Sequence, residues 1–257
     1  MKTHTSERPE AVYFFGTCLI DMMYPQAGIS AMQLLQHEGI KVIFPQQQTC
    51  CGQPAWNSGY RDEARKVART QLQLFPKPLP IVVPSGSCAG MMKCHYPELF
   101  KGDADEALAN NVAGRIYELT EFLVDVLDIK LEDLGEPVEV AVHTSCSARR
   151  EMGVAEKIEN LLGQMQSVTV LEQAYKPECC GFGGTFAVKQ PEISAAMVKD
   201  KTSHIRATGA TQLVGQDAGC LLNIGGAFEF QAQYEGKPQP GIKHIAEFIW
   251  ERTGGRQ

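Results

Sequence analysis

The sequence predicts an α/β chain made of two related modules, and three observations support this prediction. Short apolar runs alternate with amphipathic helical patterns along the 257 residues. Eight of the nine cysteines form two sets of four, and equivalent members of the two sets lie 128 to 132 residues apart. Each set contains two adjacent cysteines followed by a glycine. Because such a repeat indicates duplication, we expect two Rossmann-like modules with mainly parallel sheets, the first over 1–135 and the second over 136–257.

The first strand of each module is predicted to run directly into a cysteine. The run AVYFFGTC ends at Cys18, and the run VEVAVHTSC ends at Cys146. Both runs are rich in aromatic or β-branched residues and end in a turn, which is typical of a buried strand. The segments that follow, up to Gly39 and Gly163, have the apolar spacing of an amphipathic helix closed by glycine.

Second strands are predicted at KVIFP and VTVLE, and each leads toward an adjacent cysteine pair. The pairs are Cys50 with Cys51 and Cys179 with Cys180. The polar segments DEARKVARTQLQLF and PEISAAMVKDKTSHIRATG follow the two pairs, and both predict helices.

Third strands are predicted at PIVVPSGSC and TQLVGQDAGC, which end at Cys88 and Cys220. The segment 101–135, which includes YELTEFLVDVLDI, is predicted to be helical and to join the modules. The corresponding terminal helix is predicted at KHIAEFIWERTG. Since parallel sheets gather ligands outside the carboxyl ends of their strands, we expect the four cysteines of each set at one edge of one sheet.

Four converging thiolates are soft ligands that suit either zinc or an iron–sulfur cluster. Zinc sites usually contain two cysteines separated by two to four residues, whereas the close pairs here are directly adjacent. Adjacent side chains of an extended backbone point to opposite sides, which favours a cluster of several irons over a single ion. Glycine lets the backbone turn sharply and brings N–H groups close to the sulfurs. The candidate cluster-binding glycines are Gly52, Gly181, Gly183 and Gly184.

Two other interpretations of the cysteines stay open: a zinc-stabilised interaction module, and a thiol switch that forms vicinal disulfides. A structural disulfide framework is not expected, because the number of cysteines is odd and a chain of this size folds without covalent cross-links. Cys94 lies outside the repeat and is expected to be an ordinary thiol. His143, three residues before Cys146, is expected to be a hydrogen-bonded residue at a strand end, although a role beside the metal stays open.

The composition and the missing motifs exclude several classes of protein. The net charge is −6 and lysine and arginine form no run, so a nucleic-acid partner is not expected. No apolar run reaches the length of a membrane span, and MKTHTSERPEAVYFF lacks the apolar core of a signal peptide, so we expect a cytoplasmic protein. The stretch GFGGTF lacks the spacing of a dinucleotide-binding motif, so no flavin or NAD site is expected.

Eight motifs span almost the whole chain: TCLIDMMYP, CCGQPAWNSGY, PSGSCAGM, YELTEFL, HTSC, CCGFGGTFAVK, DAGCLLNIGG and KHIAEF. Together they resemble the lactate utilisation protein A family. These are cysteine-rich CCG-domain iron–sulfur proteins related to heterodisulfide reductase and to the iron–sulfur protein of glycolate oxidase. The resemblance implies an iron–sulfur subunit that acts with two partner proteins in oxidising L-lactate to pyruvate. Its role would be electron transfer, with any membrane contact made through the partners.

The resemblance also assigns the ligands position by position, without implying a catalytic residue. One cluster would be held by Cys18, Cys50, Cys51 and Cys88, and the other by Cys146, Cys179, Cys180 and Cys220. The wider CCG family commonly has a further cysteine where this chain has Met91 and Asn223. The implied sites therefore contain four thiolates each, which suit up to two 4Fe–4S clusters and argue against disulfide-reducing chemistry.

Overall fold

A computed structural model describes residues 8–255 and contains two sheets of four parallel strands each, with helices around them. The fold class predicted from the sequence is therefore confirmed: an α/β chain with two Rossmann-like modules. Residues 1–7 and 256–257 lie outside the described residues, and so does the beginning of the stretch on which the signal-peptide expectation rests.

The strands of the two sheets follow the same order. Those of the first sheet are β1 (Ala11–Phe14), β2 (Lys41–Ile43), β3 (Ile81–Val83) and β4 (Ile116–Glu118). Those of the second are β5 (Val138–His143), β6 (Val168–Val170), β7 (Gln212–Gly215) and β8 (Gly241–His244). Across the sheets the strands run β2-β1-β3-β4 and β6-β5-β7-β8. The central strands are apolar and buried, as parallel sheets covered on both faces require.

Fourteen α-helices are described within residues 8–255. The first module contains α1 (Cys18–Met23), α2 (Pro25–His37), α3 (Gln53–Asn57), α4 (Arg61–Leu72), α5 (Gly86–Gly90), α6 (Tyr96–Leu99), α7 (Glu106–Ala113) and α8 (Leu119–Glu121). Two π-helical segments, Met91–His95 and Phe122–Val126, follow α5 and α8. The second module contains α9 (Cys146–Arg150), α10 (Ala155–Leu162), α11 (Phe186–Lys189), α12 (Pro191–Ala207), α13 (Ala218–Glu235) and α14 (Ile245–Arg252).

The prediction of purely helical segments after the third strands is wrong. Segment 101–135 contains β4, which pairs with β3, and KHIAEFIWERTG begins in β8, which pairs with β7. Both strands are too short for an alternating pattern to be recognised, and each passes directly into a helix. The residues at these junctions are Glu118 and His244, whose side chains cap α8 and α14.

The two modules share a hydrophobic core. Val12 and Phe14 of β1 belong to the same buried cluster as Val140 and Val142 of β5. Helix α14 of the second module packs against α2 of the first. This packing holds the carboxyl edges of both sheets in one body, while the division of the chain at residue 135 stays a prediction.

Candidate metal centres

The first site contains four thiols delivered by three different strands. Cys18 begins α1 after β1, and Cys88 lies in α5 after β3. Cys50 and Cys51 lie in the loop after β2. The Sγ atoms of Cys51 and Cys88 are 3.4 Å apart, and the Cys50 thiol contacts those of Cys18 and Cys51. The four sulfurs therefore form one continuous group at the carboxyl edge of the first sheet.

The second site repeats this arrangement. Cys146 begins α9 after β5, Cys179 and Cys180 follow β6, and Cys220 lies in α13 after β7. Interactions between neighbouring thiols connect Cys146 with Cys179, Cys179 with Cys180, and Cys180 with Cys220. The structure thus brings together each set of four cysteines that the sequence placed at one edge.

Both sites favour a thiolate at the same position, the first cysteine of the adjacent pair. Hydrogen bonds from Cys18 and Cys51 lower the pKa of Cys50 to about 3. Hydrogen bonds from Cys146 and Cys180 lower the pKa of Cys179 to about 2. The N–H groups of Gly52 and Gly181 also donate to these sulfurs, at 3.4 and 3.5 Å. Each site can therefore stabilise negative charge on sulfur before any cation binds.

The glycine after each cysteine pair adopts a conformation that other residues rarely take. Gly52 has φ 90° and Gly181 has φ 83°, both in the left-handed region. A Cβ atom at Gly52 would lie 3.2 Å from the carbonyl oxygen of Ala64, and one at Gly181 would lie 2.8 Å from that of Ser194. The sharp turn expected at these glycines is present, and Gly183 and Gly184 also have positive φ. Their contact with a cluster stays a prediction.

The two sites face a common interface between the modules. Helix α5 meets α9 so closely that a Cβ atom at Gly86 would lie 2.8 Å from that of Ala148. The backbone N–H of Ser87 donates to the Asp217 carboxylate at 2.8 Å, across the interface. A cavity of about 220 Å³ at this interface is lined by cysteines of the second site together with Ser87. Both groups of thiols therefore lie next to the interface between the modules.

His143 corrects an expectation from the sequence. Its side chain is only 1% exposed, and neither ring nitrogen has a hydrogen-bond partner within residues 8–255. One ring nitrogen lies within 4.8 Å of the Sγ atoms of Cys180 and Cys220. Burial, then Lys201 and Arg149, lower the pKa of His143 to about 3, so the ring is neutral at pH 7. The prediction of a hydrogen-bonded strand-end histidine is wrong, because the ring faces the thiols instead of a protein acceptor.

The cysteine-containing segments of both modules match a known protein family. The CCG cysteine-rich domain family matches residues 12–93 and 140–225, which contain all eight clustered cysteines. "Lactate utilization protein A" of Oceanobacillus iheyensis is 44% identical over 248 residues, covering 95% of this chain and 98% of that protein. The chain belongs to the lactate utilization protein A family. "Lactate utilization protein A 2" of Bacillus cereus is 46% identical over 240 residues, covering 93% of this chain and 97% of that relative.

The fold of this family member also matches a solved structure. A hypothetical protein from Helicobacter pylori superposes with a TM-score of 0.68 at 10% identity, over 97% of this chain. The match covers 50% of that protein, so this chain spans about half its length. At this identity the match supports the fold alone. Among residues 8–255, no helix combines the length and the apolar character that a membrane crossing requires.

The residues in place of the fifth cysteine of the wider family do not extend the thiol groups. Met91 is fully buried in the first module. The Asn223 side-chain amide donates to the backbone carbonyl of Cys180 at 2.7 Å. In the first site the Tyr96 hydroxyl donates to the carbonyl of Cys51 at 3.0 Å. Each buried cysteine of a pair is thus held through its carbonyl oxygen, by a different side chain in each module.

Three functional candidates were missed in the sequence: Tyr96, Arg149 and Lys201. Arg149 donates to backbone carbonyls of Thr144 and Lys176, and so lies against the loop before the second cysteine pair. Lys201 is fully buried in α12. It occupies the buried face of that helix, at the spacing of Val198 and Ile205, and a lysine at such a position is the signal that would have found it. The interaction of Arg149 with the loop has no comparable sequence signal.

The remaining candidates lie outside the two groups of thiols. Cys94 is exposed, and its Sγ lies 3.6 Å from the carbonyl oxygen of Glu151. His204 contacts the Glu178 carboxylate at 2.8 Å. His244 is buried, with Nε2 3.0 Å from the carbonyl oxygen of Pro84. These residues therefore have structural partners of their own.

The donor set fits a thiophilic metal group. Each site offers four thiols, a favoured thiolate and a backbone N–H that donates to sulfur. The second site adds the imidazole of His143, which has no hydrogen-bond partner among residues 8–255. Such donors suit iron–sulfur clusters, for which thiolate ligands and hydrogen bonds to sulfur are characteristic.

Proposed function

We propose that this chain is an iron–sulfur electron-transfer subunit of a complex that oxidises L-lactate to pyruvate. The observation that carries the proposal is the pair of equivalent four-thiol groups, each at the carboxyl edge of a parallel sheet. A single structural metal would not require the same group twice. The names of the relatives supply the link to lactate utilisation.

In this proposal one cluster is held by Cys18, Cys50, Cys51 and Cys88, and the other by Cys146, Cys179, Cys180 and Cys220. Four thiolates per site suit a 4Fe–4S cluster, which supplies one-electron acceptance and release. Burial of Cys51, Cys88, Cys180 and Cys220 excludes water from one side of each site. The Gly52 and Gly181 N–H groups donate to thiolate sulfur and so stabilise the negative charge there.

The oxidation of L-lactate to pyruvate releases two electrons and two protons, so a chain with one-electron centres must work with other proteins. We assign the chemistry on lactate to the complex, and no residue of this chain to proton abstraction. Two partner subunits, a cytoplasmic location and membrane contact only through those partners complete the proposal.

Metal analysis of the anaerobically purified chain tests the cofactor. We expect a brown protein with iron and acid-labile sulfide in about equal amounts, as in a 4Fe–4S cluster. A colourless protein with stoichiometric zinc would support an interaction module instead. A metal-free protein with reversible vicinal disulfides would support a thiol switch.

Zinc is the second candidate because one observation favours it. His143, Cys180 and Cys220 offer nitrogen and sulfur donors within 4.8 Å of one another, as a zinc site would. The first site has Phe15 where the second has His143, so this arrangement accounts for only half of the repeat. Zinc in the second site alone, with iron absent, would overturn the iron–sulfur proposal.

The lactate assignment needs its own experiment. The chain, loaded with clusters and co-purified with its partners, is mixed anaerobically with L-lactate, and the electron paramagnetic resonance (EPR) signal of the reduced clusters is recorded. We expect the signal to appear with L-lactate and not with buffer alone. Clusters that dithionite reduces but L-lactate does not would contradict the role in lactate oxidation and leave the electron-transfer role intact.

A further inference from the structure

The two thiol groups have equivalent sulfur atoms but different neighbours. The position three residues before the first cysteine holds Phe15 in one module and His143 in the other. Phe15 belongs to the buried cluster that contains Cys51 and Cys88, and His143 lies beside Cys180 and Cys220. An apolar ring in the first site is thus replaced in the second by a ring with an N–H donor and no protein partner among residues 8–255.

A second difference lies three residues after the first cysteine. The first module has Asp21 there, which lines a cavity together with Cys18 and Cys50. The second module has Arg149, whose positive charge favours the thiolate of Cys146. A guanidinium stays charged at all relevant pH values. The same helix position therefore carries opposite charges beside the two groups of thiols.

The third difference is a buried residue in the second helix after each glycine turn, which is α4 in the first module and α12 in the second. The Cβ positions of Gly52 and Gly181 face Ala64 and Ser194, and the residues seven positions further along are Gln71 and Lys201. Gln71 is neutral and fully buried. Its side-chain carbonyl accepts from the N–H of Thr49 at 3.0 Å, and its amide donates to the Thr49 hydroxyl at 2.7 Å.

Lys201 replaces this neutral amide with a charge. The Lys201 ammonium donates to the carbonyl of Lys176 at 3.0 Å. Burial lowers the pKa of Lys201 to about 8, which leaves it largely protonated at pH 7. Its charge favours the thiolate of Cys220, while Cys180 and Cys220 in turn favour the charged form of Lys201. Lys201 is therefore a cation within electrostatic reach of the second group of thiols.

An acidic group offsets part of this difference. Asp217 stands where the first module has Ser85, and its charge disfavours the Cys220 thiolate more than Lys201 favours it. The exchange of Asp21 for Arg149 is not offset in this way.

Asp217 accepts from Ser87 of the first module and from Ser145 of the second, so it lies at the interface between the modules. Glu178 is paired with His204. The largest influences on the thiol pKa values of Cys18, Cys50 and Cys51 are burial and other thiols, with no cation among them.

We propose that the second site holds its cluster at a higher reduction potential than the first, so that electrons entering this chain collect at the second site. His143, Arg149 and Lys201 would favour the added negative charge on the second cluster, and none of them would bind lactate. Reduction adds one negative charge to a cluster, and nearby cations and N–H donors favour the reduced form. The inference rests on the proposed electron-transfer function.

The proposed transfer moves one electron from the first site to the second. A cluster held by Cys18, Cys50, Cys51 and Cys88 would give up one electron, and a cluster held by Cys146, Cys179, Cys180 and Cys220 would take it up. No bond is formed or broken, and no proton is required. In this proposal the electron would come from the oxidation of lactate by the complex and would leave to the next acceptor of the complex.

A potentiometric titration of the full chain with both clusters, followed by EPR at pH 7, measures the two midpoint potentials. Cys50→Ser and Cys179→Ser assign each signal to its site, because each removes one cysteine from one set of four ligands. We expect the reduced second site to be favoured at least tenfold over the reduced first site, which corresponds to about 59 mV for one electron. Equal potentials, the reverse order, or a cluster in only one site would overturn the inference.

Exchanging the equivalent residues tests the cause. Lys201→Gln introduces the residue of the first module and is expected to lower the potential of the second cluster, with the first unchanged. Gln71→Lys is the reciprocal change and is expected to raise the potential of the first cluster. Lys199→Gln removes the same charge from an exposed position of α12 and is the matched control, because solvent screens it.

The outcomes distinguish the cause of the difference from the proposed function. Equal shifts for Lys201→Gln and Lys199→Gln would contradict a specific role of the buried charge. If Gln71→Lys does not fold, Lys201→Gln and His143→Phe decide alone, and both must lower the second potential. A chain without iron and sulfide contradicts the proposed function itself, whereas two clusters of equal potential contradict only the difference between the sites.

Discussion

The two thiol groups differ little in their sulfur atoms and much in what surrounds them. Both contain a thiolate-favouring first cysteine, a left-handed glycine and a buried second cysteine. Around them, one module places apolar, neutral or acidic side chains where the other places His143, Arg149 and Lys201. The backbone turn therefore sets the arrangement of the ligands, while side chains one layer further out set their electrostatic environment.

The fourth strands of the two sheets also combine equivalent backbone positions with different side chains. Strands β4 and β8 end in buried residues that cap the following helices, yet one cap is Glu118 and the other is His244. Each accepts hydrogen bonds from backbone N–H groups of the next turn. Equivalent backbone positions thus perform the same structural task with side chains of opposite titration behaviour.

The largest expected effect concerns the independence of the two sites. Cys50→Ser and Cys179→Ser are each expected to remove about half of the iron and sulfide, because each changes one set of four ligands. Iron, sulfide and visible absorbance are measured after anaerobic reconstitution. Cys94→Ser is the control and should retain all of the iron, since Cys94 lies outside both groups. Loss of all iron from either single-site variant would mean that the modules hold one shared assembly.

Opposite pH dependences are expected at the two caps. Burial raises the pKa of Glu118 to about 8 from an ordinary value of 4.5, so the folded chain binds the proton more tightly than the unfolded chain. The contribution of Glu118 to stability therefore falls as pH rises from about 4.5 to about 8. Burial lowers the pKa of His244 to about 4 from 6.5, so its contribution rises between about pH 4 and 6.5.

Thermal unfolding of the chain and of two variants, measured from pH 4 to 8, tests these signs. Glu118→Gln and His244→Asn keep an acceptor oxygen for the cap and remove the titration. Relative to the unmodified chain, Glu118→Gln should gain stability as pH rises toward 8, and His244→Asn should gain it as pH falls toward 4. The changes should reach on the order of a few kcal/mol. The same sign for both variants would contradict the comparison.

Much of this architecture could be predicted from the sequence because strands and cysteines recur together. The runs that end at Cys18, Cys88, Cys146 and Cys220 are strands followed by helices in the structure. The glycines after the adjacent pairs turn the chain as expected. These features depend on local sequence, so a pattern of residues is enough to indicate them.

The features that depend on distant partners could not be predicted in this way. Strands β4 and β8 are defined by pairing with β3 and β7, and their three or four residues carry no alternation of their own. The sequence predicts a hydrogen-bond partner for His143, yet only the folded chain shows that its neighbours are Cys180 and Cys220. The charge asymmetry of the two sites required the same three-dimensional comparison.

The glycine turns are expected to differ in their tolerance of a side chain. A left-handed backbone costs roughly 1–2 kcal/mol for alanine, and this cost applies to Gly52, Gly181 and Gly209. Gly209 has nothing within 4 Å of its Cβ position, so Gly209→Ala measures the backbone cost alone. Gly52→Ala should cost slightly more and Gly181→Ala the most, because their Cβ atoms would meet carbonyl oxygens at 3.2 and 2.8 Å.

Urea unfolding of the reduced, metal-free chain gives these free energies. If Gly52→Ala and Gly181→Ala cost no more than Gly209→Ala, the close approach of the helix after each turn would not contribute. If Gly52→Ala cost more than Gly181→Ala, the second turn would be the more tolerant one, in contradiction to the distances.

The smallest expected difference lies in the hydrogen bonds that hold the second cysteine of each pair. Tyr96→Phe removes the hydroxyl that donates to Cys51, and Asn223→Ala removes the amide that donates to Cys180. Each loss should cost about 1 kcal/mol, because it leaves a carbonyl oxygen without its donor. Tyr96 is fully buried whereas Asn223 is partly exposed, so water can replace the amide but not the hydroxyl. We therefore expect Tyr96→Phe to cost more.

Tyr60→Phe is the matched control, since Tyr60 is 54% exposed and loss of its hydroxyl should change stability by less than about 0.5 kcal/mol. Urea unfolding of the metal-free chain compares all three variants. If Asn223→Ala lost more stability than Tyr96→Phe, the expected order would be contradicted. The backbone of the second site, which has the additional cations, would then depend more on a single side chain than the backbone of the first site.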